Sequence, residues 1–334
     1  MKELKDIKFS DMLLAEDGTF LKGVPGQGQR LVPITTIPEI EPSLAEALKE
    51  LPHELTHVML QRSHMPAIRH TFEGIMFRVC YADDVGGRSW FLRRIHDRVP
   101  SLEELGIPVH MLQYLLSAKK NRGLCLVTGP QSSGKTTVAS SLVATRLTLF
   151  GGHCVTFERP AEMPLHGQFG EFGRCIQTEV ETEEELPSRI MRAHTFASPD
   201  IIYIGEIKAA VAAVESLRVA LGSNTQMVVA TIHGTDIVAA LQRLMNFAKE
   251  ADGENAALNL SMSLAAVMHM SLNSQGEEKQ LDVPESLFIP FSGDFSDSVR
   301  ALLKTGSLSR LAENIQQQRN VMFRHGAEVY LRND

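Results

Sequence analysis

The chain has 334 residues, 43% of them apolar, which is enough to bury two ordinary cores and excludes a disordered or low-complexity protein. Acidic residues outnumber basic ones 40 to 33, a net charge of −7, so the overall balance offers no footprint for nucleic acid or a membrane surface. No run approaches the roughly 18 apolar residues a membrane helix needs, and the mixed-charge start Met1-Lys-Glu-Leu-Lys-Asp is unlike a secretory signal; the expectation is a cytoplasmic protein.

Residues 1–30 are mixed in character and end in Gly23-Val-Pro-Gly-Gln-Gly-Gln, which reads as a loop. Pro42–Leu51 is expected to be a helix with Ser43 as its N-cap, and Glu54–Arg62 a second one. Gly74–Tyr81 and Arg88–Ile95 are β-rich runs around Asp83–Gly87, a hairpin pattern. Residues 1–98 thus read as a small N-terminal α+β domain and 99–122 as a linker and lead-in. From Gly123 to the end at 334, short apolar strands alternate with longer helical stretches, the pattern of a parallel sheet with crossover helices. The strands are expected at Leu124–Thr128, His153–Phe157, Ile201–Ile204 and Met227–Thr231, with a helix over Thr137–Leu149, a RecA-like α/β arrangement in outline. Beyond residue 236 the pattern predicts mostly helix, at Ile237–Phe247, Ala256–Met270 and Asp297–Gln318. The four cysteines, Cys80, Cys125, Cys154 and Cys175, lack metal-ligand spacing and read as reduced core thiols.

Between the first of these strands and its helix stands Gly129-Pro-Gln-Ser-Ser-Gly-Lys135-Thr136. Glycines at those two places let successive N–H groups turn inward toward phosphate oxygens at the positive end of a helix. Lys135 would neutralise the β- and γ-phosphates and the Thr136 hydroxyl would ligate Mg²⁺, which makes ATP and Mg²⁺ the expected cofactors. The nucleotide contacts are expected from Gly129, Ser132, Ser133, Gly134, Lys135, Thr136 and Thr137. A carboxylate must orient the attacking water, and Glu206, closing the run Asp200-Ile-Ile-Tyr-Ile-Gly-Glu206, is the best candidate. Spacing alone leaves open whether Glu206 does this or is a surface acid at a strand end.

Four elements in order then resemble the type II/IV secretion and type IV pilus ATPase superfamily, PilT-like traffic ATPases most of all, from about Phe77 to Leu311. Phe77-Arg-Val, Phe91-Leu-Arg93-Arg94-Ile and Pro100–Gly106 are similar to the end of that family's N-terminal domain and its linker. Val155-Thr-Phe-Glu158-Arg-Pro-Ala-Glu162 resembles its acidic "Asp box", Ser198–Glu206 its Walker B segment and Thr231-Ile-His233 its histidine box. The resemblance implies a RecA-like P-loop ATPase core with a smaller PAS-like N-terminal domain, working as a homo-hexamer with ATP between the domains. It also implies docking at the inner face of the cytoplasmic membrane on the platform of a secretion or pilus machine, with no direct nucleic-acid contact. Carried over residue by residue, Glu158 lies near the metal and the water, Glu206 is the main catalytic acid, and His233 senses the γ-phosphate. Arg93 stabilises charge on the leaving phosphoryl group, with Arg78 and Arg94 as substitutes. The chain departs from the pattern at Arg159, where Asp is usual, and at Gln226, where many members carry a first histidine. Ser298-Val-Arg-Ala-Leu-Leu303 stands where retraction motors carry an Ile-Arg-Asn helix motif, and the zinc element of extension motors is absent. The implied function is an ATP-hydrolysing motor of a divergent kind; the alternative is a nucleotide-binding scaffold that does not turn ATP over.

Overall fold

The structure, a computed structural model, describes residues 3–38, 41–61, 65, 67–119, 121–222, 225–275 and 278–331. They fall into two compact units: the first takes in residues up to Arg98 together with Arg159–Pro164, the second Val99–Glu158 and the chain from Leu165 onward.

In the first unit, strands β1 (Asp11–Ala15), β2 (Gly18–Lys22), β3 (Val32–Pro33), β4 (Ile68–Phe72), β5 (Ile75–Asp84) and β6 (Gly87–Arg94) make an antiparallel sheet in the order β3-β2-β1-β6-β5-β4. The β1–β2 hairpin lies in the stretch whose mixed pattern gave no strand signal. The β5–β6 hairpin is tighter than its sequence suggests, with a turn of Val85-Gly86 alone, because Asp84 Oδ1 accepts from the N–H groups of Gly86 (2.8 Å) and Gly87 (3.1 Å).

The two helices expected over 42–62 are one, α1 (Pro42–Gln61), which runs through Pro52; Arg62 lies outside the described residues. Ser43 is accordingly inside the first turn and not its N-cap, and Pro42 takes the starting position that proline favours. An internal proline costs about 3 kcal/mol. Five side chains on one stripe, Leu44, Leu48, Leu51, Leu55 and Met59, are buried against the sheet, each contributing roughly 1.5–3 kcal/mol, so the packed face outweighs the break.

The second unit is built on β7 (Gly123–Gly129), β8 (Gly152–Phe157), β9 (Gly167–Phe169), β10 (Gly173–Ile176), β11 (Ile201–Ile204), β12 (Met227–His233), β13 (Leu264–His269) and β16 (Glu285–Phe288). The sheet order is β16-β13-β7-β12-β11-β8-β10-β9; the six inner strands are parallel and the two outer ones, β16 and β9, run antiparallel to their neighbours. β14 (Leu272–Gln275) and β15 (Glu278–Leu281) form a separate hairpin.

Strand residues alternate between two cores. Leu124, Leu126, Ile202, Ile204, Val228 and Ile232 face one side, with α4 (Leu186–Arg192), α5 (Ala210–Gly222), α6 (Ile237–Asp252) and α7 (Asn255–Ser263). Cys125, Val127, Cys154, Tyr203 and Val229 face the other, with α2 (Val109–Leu115) and α3 (Lys135–Phe150). Burial on both faces is why these strands read as unbroken apolar runs.

Two expected helices are corrected. Ala256–Met270 is helix only to Ser263; Leu264–His269 is β13, all six residues buried, pairing in parallel with the phosphate-loop strand β7. Asp297–Gln318 is broken at Thr305-Gly306-Ser307, where Gly306 has φ +70°, between α8 (Asp294–Lys304) and α9 (Leu311–His325). Arg300, in the α8 motif, donates to the Ser261 carbonyl and so closes the end of α7. All four cysteines are free thiols, three of them buried. No described helix is long and apolar enough to cross a membrane.

Candidate functional site

Four adjacent parallel strands, β7, β12, β11 and β8, end on the same side of the sheet, about 4.8 Å apart. Each carries one candidate group at or just beyond its C-terminus: the loop from Gly129, then His233, then Glu206, then Glu158. Residues spread over more than a hundred positions thus form a single row at the strand ends, where open α/β sheets bind ligands.

The loop is shaped for phosphate. Ser132 (φ +61°) and Gly134 (φ +87°) are left-handed, a backbone form that turns successive N–H groups inward ahead of α3. A Cβ on Gly129 would stand 2.3 Å from the Met270 carbonyl and 2.4 Å from Ser133 Oγ, so no other residue fits without moving the chain. Ser133 Oγ is buried with no hydrogen bond, Thr136 and Thr137 are half-buried on the first turn of α3, and Ser132 is exposed. Backbone donors, a buried lysine, an unused hydroxyl and hard oxygen donors at Thr136 and Glu158 fit a phosphate chain with Mg²⁺.

Lys135 Nζ donates to the Pro130 carbonyl at 2.6 Å and stands 3.3 Å from His233 Nδ1. An ammonium has only donors, so Nδ1 must accept and the imidazole proton is assigned to Nε2. Nε2 is 2.8 Å from Glu206 Oε1, at ion-pair distance but without hydrogen-bond alignment, so that oxygen keeps acceptor capacity. Lys208 Nζ holds the other oxygen, Oε2, at 2.8 Å. Burial, and then the Lys135 charge, hold the His233 pKa below its ordinary value; Glu206 pulls the other way. His233 is therefore neutral at pH 7, as the Lys135 contact requires.

Glu158 is buried, and Gln177 Nε2 donates to its Oε1 at 2.8 Å. Gly205 is what allows this approach, since a Cβ there would come within 3.0 Å of Glu158 Cγ. Thr231 Oγ1 donates to the Gly205 carbonyl at 2.6 Å and fixes the turn that presents Glu206.

The three arginines belong to the first unit, each with a partner there. Arg93 Nε donates to Asp11 Oδ1 at 2.8 Å, Arg78 pairs with Glu162, and Arg94 reaches Asp97 at 3.4 Å. Arg93 is the most exposed of them, at 56% of its side chain. Gln226 precedes β12, at the end away from the row, where its amide donates to the Pro199 carbonyl (2.6 Å) and accepts from His194 Nδ1 (2.8 Å). Both ends of its amide are taken up there, away from the row.

Sequence reasoning missed Lys208, Gln177 and His269. Lys208 follows Glu206 by two residues and was legible as a charge beside a candidate acid. His269, at the end of β13 with Nδ1 buried and without a hydrogen bond, was hidden by the helix assignment. Gln177 had no local signal at all.

A sequence model of the family described as type II/IV secretion system protein matches residues 39–307. The uncharacterized protein YggR of Escherichia coli K12 is 28% identical over 239 residues, 70% of this chain and 68% of its own length. The type IV pilus ATPase PilU of Pseudomonas aeruginosa is 28% identical over 209 residues, 61% of this chain but only 52% of PilU. Among solved structures, the pilus retraction motor PilT with bound ADP superposes with a TM-score of 0.73 at 21% identity, covering 94% of this chain and 87% of that one, a likeness of fold.

Proposed function

The chain belongs to the type II/IV secretion system protein family, and from that premise we propose that it is an ATP-hydrolysing motor subunit of a secretion, conjugation or type IV pilus machine. The observation that carries the reading is the row of phosphate loop, His233, Glu206 and Glu158 on four neighbouring strand ends. The loop amides from Ser132 to Lys135 bind the phosphates, and Lys135 exchanges its contacts with Pro130 and His233 for phosphate oxygens. Glu206, with Oε2 held by Lys208 and acceptor capacity left at Oε1, orients the attacking water. Thr136 and Glu158 would hold Mg²⁺, which would supply charge neutralisation on the phosphate oxygens. His233 loses its lysine partner when phosphate enters and so reports occupancy to Glu206. Arg93, the most exposed of its set, is assigned to the charge that develops as the γ-phosphoryl leaves.

The same reading makes the working form a homo-hexamer docked from the cytoplasm on an inner-membrane platform. Its test is ATP turnover with Mg²⁺ as protein concentration rises. Specific activity that climbs with assembly supports the motor. Nucleotide binding with no turnover at any concentration, with or without membranes carrying the cognate machine, overturns it in favour of a scaffold.

A further inference from the structure

We propose that Gln177 is a positioning residue for the metal-side carboxylate, its side-chain amide fixing Oε1 of Glu158 so that this carboxylate is presented in one orientation. The inference rests on the reading of Glu158 as a Mg²⁺ ligand and adds to it a residue that lies outside every recognised motif.

The geometry follows from the sheet. β10 pairs in parallel with β8, Ile176 opposite Val155, and the same register continues past the strand end to a bridge between Glu179 and Glu158. Gln177 therefore stands opposite Thr156, on the same face as Glu158 and diagonal to it. Diagonal neighbours lie about 7–8 Å apart, a span that a long side chain bridges and a short one does not. Gln177 Nε2 does so, at 2.8 Å from Glu158 Oε1.

The backbone on both sides of this contact is fixed. The Thr178 N–H donates to Thr156 Oγ1 at 3.1 Å, and the Thr178 hydroxyl to the Thr156 carbonyl. The Glu158 N–H donates to the Thr178 carbonyl at 3.2 Å and the Val180 N–H to the Glu158 carbonyl at 2.8 Å. Arg189 holds the Glu179 carbonyl at 2.8 Å and ties the segment to α4. An amide placed on such a support fixes a carboxylate without cancelling its charge, which a lysine or arginine there would do. Partners of this kind govern how well a ligating carboxylate serves its metal.

The test is Gln177→Met, equal in length and without a donor. The measurement is the Mg²⁺ concentration that half-saturates Mg²⁺-dependent binding of a fluorescent ATP analogue, read beside kcat at saturating Mg²⁺. The expected result is a rise of about tenfold in the Mg²⁺ requirement, with Mg²⁺-free nucleotide affinity and kcat at saturation within about twofold of wild type. In a Glu158→Gln background the same change should have no further effect. If Glu158→Gln moves the Mg²⁺ titration and Gln177→Met does not, the positioning role is wrong while the metal assignment stands. If Glu158→Gln itself leaves the titration unmoved, both fall. Gln177→Leu, which also removes the donor and adds no charge, carries the same expectation should Gln177→Met fail to fold.

Discussion

The two ends of the same strands handle polar groups in opposite ways. At the N-terminal ends, His153 receives the Asp200 carboxylate on its N–H at 2.8 Å and places Nε2 3.0 Å from the Ala197 carbonyl, while Gln226 joins His194 to Pro199. These groups use one another up. At the C-terminal ends, Thr128 Oγ1, Ser133 Oγ, Glu206 Oε1 and His269 Nδ1 are buried with no hydrogen bond. Burying a polar group without a partner costs about 1–3 kcal/mol, so unused capacity beside the phosphate loop fits a site that a polar ligand enters, and a closed network fits a brace.

The contrast can be broken most severely at Glu206. Glu206→Gln should lower turnover by roughly 10²–10³-fold while leaving nucleotide affinity within a few-fold, as read by steady-state hydrolysis against calorimetric titration; unchanged turnover would remove Glu206 from its role. Gly129→Ala forces a Cβ onto the Met270 carbonyl, and nucleotide affinity should fall by about tenfold or more, with the fold retained by circular dichroism.

A gentler probe is pH. Because the folded His233 pKa is lowered, the neutral ring persists below the ordinary value of 6.5, and protonation sets a second cation against Lys135. Turnover should be level above that value and drop as pH falls through the lowered one. The stability contributed by the neutral ring has the same sign, full above 6.5 and lost as pH falls. In His233→Asn the inflection should vanish.

The smallest effect on chemistry belongs to the brace. Gln226→Leu leaves the Pro199 carbonyl and His194 Nδ1 unpaired, costing about 2 kcal/mol and some 4–8 °C in Tm with kcat unchanged. A fall in kcat without a fall in Tm would tie Gln226 to the site after all.

What the sequence disclosed follows the range of the forces involved. The phosphate loop was legible because its shape depends on eight consecutive residues, and Ile201–Ile204 because a short β-branched run has one good conformation. β13 was not, since Leu264-Ala-Ala-Val-Met-His269 is buried on both faces, and a run without alternation reads equally as buried helix. Helix α1 crosses Pro52 because its apolar stripe finds a sheet that local propensity knows nothing about. His233 and Glu158 became visible through motif order, whereas Gln177 depends on how β10 registers against β8, a fact of tertiary pairing alone.

The outer strands of the eight-stranded sheet decide what can pair with its backbone. β16 offers four residues and β9 only three, and each runs against its neighbour. Such stubs present too few unpaired amides to template another strand, so the sheet resists growing sideways into a fibre. A neighbour meeting this sheet at either margin would find side-chain surfaces and loops, because the backbone ladder stops after three or four residues at both edges.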